Sequence, residues 1–481
     1  MTYDYDLAVV GGGAAGLVAS KFAAGVGKKV ALIEKSRLGG ECTLFGCVPS
    51  KALIRTAKVF REIGRAGDAG LGELGSLPEA GEAGEAVLTR VRSVVDQVYQ
   101  GHTPERLQGL GIKVLLGDPR FLDNHHVEIE RTAYSARSFV LCTGSSAFVP
   151  PIEGLDRVAY LTNQTLFDMG RLPRSMIILG GGPIGIEIAQ ALGYLGVAVT
   201  VVEMGERILI REDRELGDLL TERLARQGLV LRTGSRAVRV ETGKNGVNLF
   251  VEGGAAGQGP ISGDTLLVAV GRKANVDGLD LEAAGVEYSS KGIRTDRRLR
   301  TTAPNIYACG DVAGPYQFSH MAEYQARIAA WNALFPLKRS ADYANYLWCT
   351  FTDPEFAHAG LTEDEARRAR GDAIKVYRWA YGQTDRGRTD GAEFGMAKFI
   401  CDRSHRLLGA HILGARAGEL IHEAQIVKTL GVPFYKLDSV IHVYPTFSDV
   451  VKQPAKLCHI DTLQGSLFVR MARRLFDRKG R

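Results

Sequence analysis

The feature that most constrains this chain is a fingerprint it carries twice. Gly11-Gly12-Gly13-Ala14-Ala15-Gly16 follows an apolar run at 7–10 and leads to a second apolar run at 30–33, which ends at Glu34. Gly180-Gly181-Gly182-Pro183-Ile184-Gly185 follows an apolar run at 176–179 and leads to one at 197–202, which ends at Glu203. In each copy the acid stands 23 residues after the first glycine. Glycines between a buried strand and a helix let the backbone approach a pyrophosphate at the helix N-terminus, and the acid bonds a ribose hydroxyl. Two copies imply two dinucleotide sites. The first draws on Gly11, Gly13, Gly16 and Glu34, the second on Gly180, Gly182, Gly185 and Glu203.

Between them lies Gly39-Gly40-Glu41-Cys42-Thr43-Leu44-Phe45-Gly46-Cys47-Val48-Pro49-Ser50-Lys51. A helical turn beginning near Cys42 brings two sulfurs five positions apart within bonding reach. A thiolate is stabilised near a helix N-terminus, and Lys51 adds a cation one turn beyond Cys47. The stretch therefore reads as a redox dithiol; the other readings are a metal half-site or two unrelated core cysteines. Zinc wants a second ligand pair, which the sequence lacks, so no metal site is expected. The seven cysteines are scattered and odd in number, unlike a secreted disulfide framework. A net charge of +6 over 481 residues does not argue for nucleic acid. No leader-like or span-length apolar run is visible, so a cytoplasmic, reducing compartment is expected.

The dithiol segment resembles the signature of the class I pyridine nucleotide-disulfide oxidoreductases, which include dihydrolipoamide dehydrogenase, glutathione reductase and mercuric reductase. Glu41 is its unusual letter, and the resemblance runs over roughly residues 4–465. It implies an α/β fold with two Rossmann-like dinucleotide-binding domains and an α+β C-terminal dimerisation domain. The expected spans are an FAD-binding domain at 1–150, an NAD-binding domain at 151–271, the FAD-binding return and central region at 272–345, a dimerisation domain at 346–465 and a basic tail at 466–481. The resemblance assigns the first fingerprint to FAD and the second to the nicotinamide. It makes Gly144 and Gly271 turns at the crossings between these domains, and Asp311 the residue that holds the ribityl chain. His320, at the start of a helix aimed at the flavin, is a candidate for tuning it. Lys51 is implied beside the flavin, paired with Glu187. Cys47 is the flavin-side thiol and Cys42 the outer thiol that meets the acceptor. Glu203 repels a 2′-phosphate, which favours NADH over NADPH; Arg207 is the only nearby cation.

The C-terminal segment departs from its relatives. Where disulfide reductases place a histidine before Pro-Thr, this chain has Tyr444 before Pro445 and Thr446, with Asp449 five positions on and His442 two positions back. By analogy Tyr444 and Asp449 reach the active site of the other copy in a homodimer. A tyrosine at this place points to the mercuric reductase-like branch. That branch carries a C-terminal cysteine pair, whereas here the tail offers Cys458, followed by His459. The expected function is reduction of a disulfide or thiol-bound metal acceptor. The alternatives are a dihydrolipoamide dehydrogenase and a low-turnover flavoprotein sensor or scaffold. Residues 468–481 form a basic amphipathic tail, expected as a solvated helix, with contact to an anionic membrane surface as the alternative. Of the remaining segments, 69–86 is expected as a loop, 87–107 as a helix and 351–356 as a strand.

Overall fold

The computed structural model describes residues 2–72, 80–244, 246–254, 259–465 and 469. The chain divides into two compact units, 1–205 with 229–342 and 206–228 with 343–481.

The first unit begins with β1 (Tyr5–Val10), α1 (Ala14–Gly25) and β2 (Val30–Glu34), followed by α2 (Gly40–Leu44), α3 (Cys47–Gly64) and α4 (Ala80–Tyr99). Then come β3 (Ile112–Leu116), β4 (Arg120–Phe121), β5 (His126–Ile129) and β6 (Thr132–Leu141). β3, β2, β1 and β6 lie side by side and parallel. Their central residues are mostly apolar because helices cover a parallel sheet on both faces. β6 does double work over its ten residues. Residues 132–135 pair antiparallel with β5, and 136–141 pair parallel with β1.

A second parallel sheet follows, built from β7 (Ser175–Leu179), β8 (Ala198–Val202), β9 (Val230–Arg232) and β10 (Thr265–Val268) in the order β9-β8-β7-β10. α5 (Pro183–Tyr194) crosses from β7 to β8. The chain then returns to the first sheet: β11 (Ile306–Ala308) pairs parallel with β6, and α7 (Ser319–Leu334) packs on α1.

The second unit takes in α6 (Arg214–Arg226), although residues 206–228 fall inside the span expected to be NAD-binding. Buried polar groups at its start explain the allegiance. Glu212 accepts from the Trp348 indole N–H at 2.7 Å, and Asp213 pairs with Lys398 at 2.9 Å. Here β12 (Leu347–Thr350), β13 (Glu355–Gly360), β14 (Ile374–Ala380), β15 (Met396–Asp402) and β16 (Leu407–Gly414) form an antiparallel sheet in the order β12-β13-β16-β15-β14. α8 (Ala417–Thr429) and α9 (Asp449–Gly465) pack against it.

Three expectations change. Of the loop expected at 69–86, residues 73–79 lie outside the described residues, and α4 already starts at Ala80. The helix expected at 87–107 breaks after Tyr99 and restarts at Pro104, where Thr103 caps the new turn by accepting from the Arg106 N–H. The strand expected at 351–356 starts only at Glu355; residues 351–354 are the connection between β12 and β13, where Pro354 has no N–H to give a ladder. The basic tail lies outside the described residues, apart from Val469.

Lys398 is 3% exposed and meets three carboxylates: Asp213, Glu215 at 2.9 Å and Glu363 at 2.7 Å. Burial disfavours its charge, but the hydrogen bonds to Glu215, Glu363 and Asp213 outweigh burial and raise its pKa. Lys398→Met leaves these acids without their shared cation. The expected loss is about 3–5 kcal/mol of stability, read by denaturant unfolding. A loss below about 1 kcal/mol would show that Arg378 and Arg367, which also bind Glu363, neutralise the cluster without it.

Candidate active site

The two glycine turns are built alike. Gly11 and Gly180 hold φ of +104° and +109°, and a Cβ on either would lie 2.4 Å from a backbone carbonyl oxygen, that of Cys142 or of Ala269. Gly16 and Gly185 let helix approach strand: a Cβ there would stand 1.8 Å from the Gly11 oxygen and 2.1 Å from the Gly180 oxygen. The middle glycines face open space. A Cβ on Gly182 meets nothing within 4 Å, and one on Gly13 meets only the Gly40 Cα, at 3.7 Å. Each acid is pinned by backbone N–H groups. Glu34 accepts from Gly12 at 2.7 Å and Ser36 at 2.9 Å; Glu203 accepts from Gly181 and Gly205, both at 2.6 Å. Glu34 Oε2 and both Glu203 oxygens keep a second lone pair for a ribose hydroxyl, while Glu34 Oε1 also accepts from the Ser36 hydroxyl at 3.3 Å. These two open, N–H-lined turns fit two dinucleotides.

The dithiol lies in the same unit. Gly39, at φ +101°, ends the loop after β2 and starts α2, which carries Cys42; Cys47 is the first residue of α3. The two sulfurs are hydrogen-bonded to each other, and Cys47 Sγ lies 3.5 Å from Ser319 Oγ at the start of α7. One turn along α3, Lys51 Nζ binds Glu187 Oε2 of α5 at 2.7 Å, and the Glu187 side chain is only 6% exposed. The hydrogen bond from Cys42, that from Ser319 and the Lys51 charge overcome burial and draw the Cys47 thiol down to about 6. The Cys42 thiol, donating to Cys47 and partly buried, is pushed up. The reduced pair therefore holds one thiolate, at Cys47, and one proton, at Cys42.

This sets a pH dependence. Cys47 has a depressed pKa, so its thiolate is present above about pH 6 and is lost as pH falls through that value. The part of the thiolate ultraviolet absorbance of the reduced protein that Cys47→Ser removes should titrate with an apparent pKa near 6, a property of the coupled pair. Lys51→Met should move it upward by about one unit. An unshifted midpoint would remove Lys51 from the account.

Gly144 and Gly271 stand at the start of two short strands, Ser145–Ala147 and Arg272–Ala274, which pair antiparallel. Asp311 follows β11 and accepts from Ser145 Oγ at 2.6 Å; burial raises its pKa, against the pull of Ser145 and Arg272. Four polar residues here were not singled out from the sequence as site residues: Ser145, Arg272, Ser319 and Glu41. Arg272 lies 3.2 Å from Glu41 and 3.6 Å from Asp311, and Glu41 also accepts from Asn163. Position alone offered a signal, since Ser145 and Arg272 directly follow the two turn glycines and Ser319 precedes His320. His320 is exposed and stacks on Phe318 with centroids 5.5 Å apart.

In the second unit, Tyr444 is 69% exposed and donates to Asp385 Oδ2 at 2.7 Å. That hydrogen bond, the Asp385 charge and, more weakly, Asp449 raise its pKa. Asp449 itself is the first residue of α9. His442 Nε2 lies 3.2 Å from Glu423 Oε2, and Glu423 Oε1 accepts from Ser448 at 2.7 Å. Among the described residues there is no metal-holding cluster and no helix long and apolar enough to cross a membrane.

Paired dinucleotide turns with a thiolate-forming dithiol between them define a nicotinamide- and flavin-dependent disulfide oxidoreductase. The chain belongs to the family described as pyridine nucleotide-disulphide oxidoreductase, which matches residues 5–326, and that family's dimerisation domain matches 346–455. It is thus an enzyme of a family that uses FAD with NAD(P)H as electron donor, and the dimerisation domain supports a homodimer. It is 34% identical to a dihydrolipoyl dehydrogenase of Thermus scotoductus over 95% of this chain and 97% of that protein. It is 32% identical to a mercuric reductase of Staphylococcus aureus over 94% and 82%. Among solved structures, the Cu(II) complex of the HOCl-induced flavoprotein disulfide reductase RclA from Escherichia coli matches with a TM-score of 0.84 at 28% identity, covering 95% of this chain and all of that one.

Proposed function

We propose that this protein is an NADH-dependent reductase whose Cys42–Cys47 dithiol delivers electrons to a thiol-bound metal ion or a small disulfide, as in the mercuric reductase-like branch. FAD, when bound, supplies the two-electron relay between nicotinamide and dithiol. Glu203 holds the nicotinamide nucleotide's ribose. Lys51, braced by Glu187, places a positive charge beside Cys47. Cys42 is the outer thiol that engages the acceptor, and Tyr444 with Asp449 approaches that acceptor across the dimer.

Tyr444 carries the choice of acceptor. Oxidising a dihydrolipoamide begins with removal of a thiol proton by a base. Tyr444, with its pKa raised by Asp385, is no base near neutral pH. A soft metal ion arriving as its thiolate complex needs no such base and suits cysteine ligands. Among the named relatives, the mercuric reductase and RclA, solved with Cu(II), support this reading, and the dihydrolipoyl dehydrogenase supports the second. The His442–Glu423 pair at 3.2 Å favours a second reading, a dihydrolipoamide dehydrogenase in which that pair replaces the usual histidine and acid.

The test is NADH oxidation with lipoamide in one cuvette and Hg(II) with excess thiol in another. Metal-dependent turnover with a silent lipoamide cuvette is the expected result. Fast lipoamide turnover that collapses in His442→Gln establishes the second reading instead. Glu203→Ala should lower the preference for NADH over NADPH by roughly tenfold or more in kcat/KM. Arg207 is already donating to the Ile210 and Glu212 carbonyls, at 2.8 and 3.1 Å, which agrees with NADH. An NADPH preference in the wild type would overturn the donor assignment.

A further inference from the structure

Besides Cys42 and Cys47, two more cysteine pairs come together, one in each unit, and their surroundings separate them. Cys142 and Cys309 lie 3.5 Å apart, sulfur to sulfur, at the ends of β6 and β11. Burial pushes the Cys142 thiol well up, which makes it a poor nucleophile. Cys401 on β15 and Cys458 on α9 are both fully buried, yet polar groups surround them. They belong to one core cluster and their thiols interact, and Cys458 Sγ lies 3.2 Å from His405 Nδ1. On the other edge of the ring, Nε2 lies 3.2 Å from Thr462 Oγ1. The Thr462 hydroxyl donates its own proton to the Cys458 carbonyl at 2.9 Å, so Nε2 is the ring's donor and Nδ1 its acceptor. The basic nitrogen of His405 therefore faces Cys458.

The second layer holds this arrangement in place. His405 sits in the turn between β15 and β16 at φ +60°, a left-handed conformation that non-glycine residues rarely take. Its carbonyl accepts from the Phe434 N–H at 2.7 Å. Asp461, one helical turn from Cys458, accepts from Lys375 at 2.6 Å and from the Tyr377 hydroxyl at 2.9 Å. Tyr377 reaches His405 Nδ1 at 3.4 Å. An imidazolium formed at His405 has Asp461 as its nearby counter-charge.

We propose that Cys401 and Cys458 are a second redox pair, oxidised to a disulfide by small hydroperoxides with Cys458 as the reacting sulfur and Cys401 as the resolving one. The Cys401 thiol, as donor, and the positive charge that His405 carries once it has taken the proton bring the Cys458 thiol down to about 6 despite burial, while Cys401 is pushed up. His405 accepts the Cys458 proton. The thiolate attacks one peroxide oxygen; the O–O bond breaks, an S–O bond forms, and the leaving alkoxide or hydroxide is protonated from His405. Sulfur has lost two electrons and peroxide has gained them. Cys401, its proton passed to the departing hydroxide, then attacks the Cys458 sulfur. The S–S bond forms, the S–O bond breaks and water leaves. The sum is two thiols and one hydroperoxide to one disulfide, one alcohol (or water) and one water. Burial admits only small oxidants. The new bond ties β15 to the helix that starts at Asp449, just after the Tyr444 segment. None of this depends on which acceptor the Cys42–Cys47 dithiol serves.

The experiment uses the FAD-loaded Cys42→Ser/Cys47→Ser protein, which retains five of the seven cysteines. One equivalent of hydrogen peroxide should lower its titratable thiols from five to three, dithiothreitol should restore them, and peptide mapping should find Cys401 joined to Cys458. The same linked peptide should appear in the wild-type protein, which guards against a folding defect in the variant. With Cys401→Ser added, Cys458 should stop at a sulfenic acid that dimedone traps. His405→Gln should slow the oxidation at least about tenfold. Five thiols remaining after peroxide, or a linkage mapped to Cys142 and Cys309, would overturn the proposal. An unchanged rate in a folded His405→Gln protein would overturn the role of His405.

Discussion

Cys42→Ser should lower kcat/KM for the acceptor by about a thousandfold or more while NADH still bleaches the flavin absorbance. The asymmetry follows from the two sulfurs. Cys47, at the head of α3 with Ser319 and Lys51 beside it, is the one that stabilises negative charge. Cys42 keeps its proton and is the one free to engage an acceptor. Removing Cys42 deletes a bond made to the substrate, and losses of about 4 kcal/mol in transition-state free energy are typical of a missing nucleophile. Nothing in the donor half is touched, so rapid-mixing absorbance at limiting NADH should look like wild type in its first phase. Normal acceptor turnover in the serine variant would remove the dithiol from the electron path.

The second large effect separates the two nucleotide turns. Gly185→Ala puts a Cβ 2.1 Å from the Gly180 carbonyl oxygen, and Gly16→Ala puts one 1.8 Å from that of Gly11. Such overlaps force helix and strand apart where the backbone N–H groups must converge on a pyrophosphate. Gly185→Ala should leave a yellow protein whose KM for NADH rises about a hundredfold or more, while an artificial dithiol reductant still reaches the disulfide. Gly16→Ala should be purified without FAD. Both helices are almost wholly buried along one side, so some stability is lost in either variant. A colourless Gly185→Ala protein would reverse the assignment of the two turns; a yellow Gly16→Ala protein with normal NADH affinity would show that the overlap is relieved without cost.

Much of the nucleotide half was legible because its information is local. A left-handed glycine, a helix starting beside it and an acid at the next strand's end lie within a single 23-residue span. The pairing of Lys51 with Glu187 followed only from resemblance, since 136 positions separate the two residues. Glu41 shows the limit. It stands out as an odd letter, but its partners Asn163, Gln164 and Arg272 come from distant loops. The allegiance of α6 was equally hidden, because Lys398 and Trp348 select it from more than a hundred residues away.

The cysteines mark the division most clearly. For Cys42 and Cys47, five positions apart, the sequence alone determined that two thiols share one helix start, and with it their chemistry. It likewise determined the two nucleotide turns and the tyrosine in place of a histidine. For Cys401 and Cys458 the sequence shows only two isolated letters. The tertiary structure decided that a sheet strand and α9 bring them together, and that a hairpin turn sets His405 against one sulfur. It also decided that Tyr444 bonds Asp385 and His442 bonds Glu423. The physical reason is the range of the interactions. Backbone conformation and helix-end electrostatics act over a few residues and are written in neighbouring letters. The pKa of a buried thiol depends on whichever groups packing brings within about 4 Å, and packing is a property of the whole chain.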